Sequence, residues 1–118
     1  MEVKNEHNFT HAVNLGVVQT RARNAQQATE EFINSLKQGS NLRARGGFKP
    51  MDVDGRQGQL ISFDNTNEAT GRAEIVNIVT TQLQNGQLFY MITVSPGDEY
   101  QNYQNTFARI LRSVRLNE

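Results

Sequence analysis

The side chains in this sequence with chemistry to offer are two histidines, a handful of paired carboxylates, nine arginines and three tyrosines. His7 and His11 stand four apart, a spacing that suits two metal ligands on one helix face. The residues around His11 instead alternate like a strand, and no glutamate stands between the histidines as the H-E-x-x-H motif of zinc peptidases requires. There is no cysteine, which excludes disulfides, zinc–thiolate centres and thiol nucleophiles. The close carboxylates Glu30-Glu31, Asp52/Asp54 and Asp98-Glu99 fall where an early helix turn, a hairpin turn and a helix cap want them. An acid–base pair needs surroundings that drive its two pKa values apart, and these local contexts supply none. No Gly-x-Ser-x-Gly elbow and no glycine-rich phosphate loop occurs. The expectation is a domain that is not an enzyme.

Arginine and tyrosine carry the binding expectation. Arg21/Arg23 and Arg43/Arg45 are Arg-x-Arg pairs, which point to one side of an extended chain. Arginine outnumbers lysine nine to three, and its guanidinium makes bidentate contacts with carboxylate or phosphate. Arg43, Arg45, Arg56 and Arg72 are therefore candidate binding residues. With them go Tyr90, Tyr100 and Tyr103, expected to gather at one sheet–helix junction and line a cleft for a small molecule or peptide.

At 118 residues with 36% hydrophobic content, the chain is expected to form one domain, residues 1–118, that buries roughly two thirds of its unfolded surface. Twelve basic residues balance twelve acidic ones, so no global field attracts nucleic acid or an anionic membrane. No apolar run approaches the ~18 residues of a membrane span.

The elements that must position these residues follow from periodicity. Residues 1–8 are polar and expected to be disordered. From Phe9 to Gln19 the apolar side chains take odd positions, the mark of a half-buried strand. Asn24 with Gln27 reads as a capping pair, followed by an apolar stripe of Ala25, Ala28, Phe32, Ile33 and Leu36 and a terminator at Gly39. Asp54-Gly55 is a type I′ hairpin pair between arms at about Phe48–Val53 and Arg56–Asn65. Asn85-Gly86 reads the same way, a two-residue loop that sets Leu83 against Leu88, Thr81 against Tyr90 and Val79 against Ile92. Asp98 with Gln101 reads as a capping box for a last helix whose stripe is Tyr100, Tyr103, Phe107, Ile110, Leu111 and Val114, with a short strand possible at Ser113–Leu116. The order β-α-β-β-β-β-α predicts an α+β fold, an antiparallel meander packed with helices.

Several runs also resemble a known domain. Ala28-Thr29-Glu30-Glu31-Phe32-Ile33-Asn34-Ser35-Leu36, Ser40-Asn41-Leu42-Arg43, Val53-Asp54-Gly55-Arg56, Asn85-Gly86-Gln87-Leu88-Phe89-Tyr90 and Phe107 to Leu116 together resemble the C-terminal PsbP-like domain of bacterial zinc metallopeptidases of the HtpX/CAAX-prenyl-endopeptidase class. The resemblance implies an α/β/α sandwich and a non-catalytic accessory domain that positions substrate or mediates assembly. Its partner would be a protein or its own peptidase domain, with homo-oligomers possible and membrane contact only through the parent protein. It implies no cofactor here, since the zinc of such a protein sits in an upstream peptidase domain. It places the chain in the bacterial periplasm or at a membrane, with the cytoplasm left open. An opening strand ahead of Phe9 that such domains would carry has no counterpart, which fits a piece of a longer chain.

Overall fold

The computed structural model describes residues 12–22, 24–37, 42–68 and 70–116. The expectations for residues 1–8, His7, His11 and Gly39 lie outside these residues. The chain runs β1 (Ala12–Val18), α1 (Ala25–Lys37), β2 (Arg43–Ala44), β3 (Lys49–Val53), β4 (Arg56–Thr66), β5 (Ala73–Gln82), β6 (Leu88–Pro96), one 3-10 turn (Gly97–Glu99) and α2 (Tyr100–Ser113). The class is α+β, with six antiparallel strands and two α-helices among the described residues. The strand order is β1-β6-β5-β4-β2, and β3 shares with β2 the outer edge of β4. The meander was expected from four strands; the added one is β2, two residues paired with Asp64 and Phe63.

Alternation sorts the side chains onto two faces. Phe63, Val76, Ile78 and Ile92 point to one face, where they pack with Ile33, Phe32 and Leu36 of α1. Leu60, Val79, Met91 and Phe89 point to the other, where Leu111 and Ile110 of α2 meet them. Burying each such side chain stabilises the fold by about 1.5–3 kcal/mol. The helix α1 starts where expected: Asn24 Oδ1 accepts from the Gln27 N–H at 2.8 Å.

Both hairpins form, by different turns. Asp54 and Gly55 have φ of 50° and 80°, the double positive of a type I′ loop, and Val53 faces Arg56. At Asn85-Gly86 only the glycine is left-handed, with φ 89°. The Leu83 N–H bonds the Gln87 carbonyl and the Gly86 N–H bonds that of Leu83, which closes a three-residue loop. The register therefore shifts by one from the expected pairing. Val79 faces Met91, Thr81 faces Phe89 and Ile78 faces Ile92.

Three further expectations are corrected. No side-chain cap closes α2, because Asp98 is drawn to Arg72 at 3.2 Å instead. Residues 114–116 form no strand; the Leu116 N–H donates to Asp54 Oδ2 at 2.8 Å. On β1, Leu15 and Val17 face the α2 side yet remain 44% and 48% exposed. Among the described residues this strand is the sheet edge, and the contacts of α2 with the sheet are mainly with β6.

Candidate functional site

Between α2 and the sheet lies a cavity of about 400 Å³, partly open to solvent. This falls within the roughly 300–1,000 Å³ of small-molecule sites. Met51, Leu60, Val79 and Met91 form an apolar floor, and Phe107 and Leu111 form the roof. At one end Asp52 and Arg112 border it, and at the other Asn77, Thr93 and Tyr100.

The register explains why Asn77, Thr93 and Tyr100 share one end. Thr93 pairs with Asn77, Asn77 pairs with Ser62, and the Arg45 N–H bonds the Ser62 carbonyl. These residues make one crosswise row, and the row of Met91, Val79 and Leu60 lies beside it, two residues along each strand. In the polar row Ser62 Oγ donates to Asn77 Oδ1 at 2.5 Å, and Asn77 Nδ2 donates to Tyr100 Oη at 3.3 Å. The Tyr100 hydroxyl thus accepts within the protein and keeps its proton for another acceptor.

Thr93 is the anomaly in this row. It is 2% exposed, and its Oγ1 has no hydrogen-bond partner among the described residues. A buried hydroxyl left in this state costs on the order of 1–3 kcal/mol. Ser95, one row further on and 1% exposed, has an unpartnered Oγ as well but stands outside this cavity's lining. A smaller hollow of about 220 Å³ adjoins the cavity, sharing Leu60 and Tyr100 with it and adding Arg45, Gly46, Gly47, Lys49 and Ser62.

A wider trough of about 710 Å³ lies at the start of α1, among Gln26, Gln27, Gln57 and Gln59. Most of its lining side chains are exposed to solvent. Gln59, in its lining, has a buried Oε1 without a partner among the described residues, but a guest there would rest mostly on solvated side chains and keep competing with water. Among the described residues no group of three or more His, Cys, Asp or Glu side chains is placed to hold a metal ion, and no helix is long and apolar enough to cross a membrane.

The structure brings some of the expected residues together and separates others. Tyr100 and Arg45 line the adjoining hollows. Arg43 lies opposite Asp64 on β4, and Arg45 pairs with that carboxylate at 3.5 Å. Arg72 stands near the start of α2, bound to Asp98 and 3.9 Å from Glu99. Arg56 opens β4 beside the Asp54-Gly55 turn and lines neither hollow. Tyr103 stacks on Phe107 at 6.1 Å and is absent from the lining. Tyr90 belongs to the other face: its ring lies 4.7 Å from that of Phe32 and over Gly16, where a Cβ would fall 2.7 Å from the tyrosine Cζ. The expected gathering of three tyrosines at one junction is therefore corrected to Tyr100 alone. Thr93 and Asn77 are functional candidates that the sequence does not signal, because a polar residue inside a strand carries no mark of the cavity it lines.

No family model matches this chain, and no curated protein matches it. Among solved structures it is similar to the Pseudomonas aeruginosa protein of unknown function PA94, with a TM-score of 0.60 and 10% identity, over 92% of this chain and 85% of that one. Likeness at this identity shows a shared fold and carries no activity across.

Proposed function

We propose that this domain is a non-catalytic binding module, and that the cavity between α2 and the sheet receives a small molecule with an apolar body and a polar atom for Thr93. The observation that carries this reading is the orphaned Thr93 hydroxyl among the residues lining a cavity whose floor and roof are apolar. Natural proteins pair nearly all such groups, and a guest's oxygen would pair this one. The test is thermal denaturation with 1-dodecanol as the probe. The alcohol should raise Tm in proportion to the logarithm of its free concentration, and Thr93→Val should remove most of the rise. No rise with either protein would contradict the reading.

A second reading follows the resemblance to the PsbP-like domain of zinc metallopeptidases: an accessory domain that holds an extended segment of the peptidase's protein substrate. One sheet with a helix on each face supports the PsbP-like assignment. The β1 edge favours the docking role, since Ala-Val-Asn-Leu-Gly-Val-Val carries no charge and no proline to deter an added strand. An immunoblot of source cells tests it. A band far above 13.3 kDa, with zinc-dependent proteolysis in the precipitate that Leu15→Lys lowers, would support it. A band at the size of this chain would count against it.

A further inference from the structure

The basic hollow beside the cavity narrows the kind of guest. We infer that the site takes an elongated apolar carboxylate with a second oxygen at its far end, its anionic group in the Arg45/Lys49 hollow and its distal oxygen at Thr93. The inference rests on the binding reading above and adds to it the charge and length of the ligand.

Three observations lead there. The two hollows share Leu60 and Tyr100, so a guest lying over Leu60 and beneath Tyr100 enters both. The smaller one is lined by Arg45 and Lys49 with no carboxylate in its lining. Asp64 offsets Arg45 from one side at 3.5 Å, and Lys49 adds a second cation. The donors that surround the path, the Tyr100 hydroxyl and the two cationic side chains, all seek acceptors. An anion answers them better than a neutral group, because hydrogen bonds between ionised partners are about twice as strong as neutral ones.

The length follows from the sheet. Arg45 extends the β2 side, and Thr93 lies on β6, three strand spacings away across β4 and β5. At roughly 4.8 Å per spacing the two ends are about 14 Å apart, a span that an extended dodecyl chain covers. Ser62 and Asn77 lie on that line itself, and Leu60, Val79 and Met91, in the row beside it, supply the apolar bed along which a guest would run.

The experiment is isothermal titration of the intact chain with three probes: 1-dodecanol, dodecanoate and ω-hydroxydodecanoate. The hydroxy acid should bind tightest, and shortening its chain by two methylenes should weaken it about tenfold. The double change Arg45→Gln, Lys49→Gln should weaken both acids about tenfold and leave the alcohol unchanged, and added salt should do the same more mildly. Thr93→Val should weaken the two hydroxyl-bearing probes and spare dodecanoate. Equal binding of alcohol and acids, unmoved by the double change, would overturn the anionic assignment while leaving the binding reading intact. Absence of binding by all three would overturn both. Circular dichroism of each variant checks folding, and retained alcohol binding by the double variant shows its cavity intact.

Discussion

Thr80 and Thr93 stand on neighbouring strands, both 2% exposed or less, on opposite faces of one sheet. Thr80 is answered from within the protein. Its hydroxyl lies 2.6 Å from that of Thr29 in α1, and Thr29 spends its own proton on the Ala25 carbonyl at 2.7 Å, so Thr80 is the donor of the pair. Thr93 lies on the α2 face among the residues that line the cavity, and its buried hydroxyl has no partner among the described residues. Around Thr80 the α1 face is thus closed in hydrogen bonding, although further along the same face Gln59 Oε1 is buried without a partner among the described residues and a trough opens at the start of α1. Around Thr93, by contrast, the α2 face keeps both room and polar capacity. A fold that merely needed a second cover for its sheet would gain by placing valine at Thr93. The difference sets Thr80 in a satisfied contact between sheet and helix and Thr93 beside an open cavity.

This contrast can be tested from its strongest consequence downward. Ile78 is fully buried against α1, and Ile78→Ala should cost about 2–5 kcal/mol in urea denaturation. Gly58→Ala should cost about 1–3 kcal/mol, since a Cβ there falls 2.5 Å from the Thr80 carbonyl oxygen and the backbone must move. The two threonines should then respond with opposite signs. Thr80→Val should lose about 1 kcal/mol with its hydrogen bond, whereas Thr93→Val should leave stability unchanged or raise it by up to ~1 kcal/mol, because it removes an unpaired buried hydroxyl. A loss of equal size at both positions would erase the distinction. Smallest of all, Arg45→Ala should change stability by less than ~1 kcal/mol, as its ion pair with Asp64 is half exposed, even though it should weaken binding of an acid.

How far the sequence shows this depends on how local each feature is. The Asp54-Gly55 hairpin was legible because a two-residue loop with both φ angles positive is written in two adjacent residues. Asn85-Gly86 misled by one residue of register: a glycine also serves the three-residue loop, and only the φ of Asn85 distinguishes the two. The capping of α1 by Asn24 was readable for the same local reason. Asp98 was not, since its partner Arg72 is 26 residues away. The apolar stripe of α1 gave its buried side but hid Thr29, whose role needs Thr80 on a strand 51 residues on. The candidate site was the least legible part. Tyr100 and Arg45 were singled out, but nothing in the strand pattern marks Thr93 and Asn77 as lining a site, and the space beneath α2 is written in no single stretch.

The measurement that bears most directly on the α2 cavity is a methyl-resolved NMR titration of the intact chain with ω-hydroxydodecanoate. Binding in the cavity predicts shift changes at the methyl groups of Met51, Leu60, Val79, Met91 and Thr93, with those of Ile78 and Val76 on the α1 face still. Shifts centred on Leu15 and Val17 at the β1 edge, or no shifts at all, would contradict it.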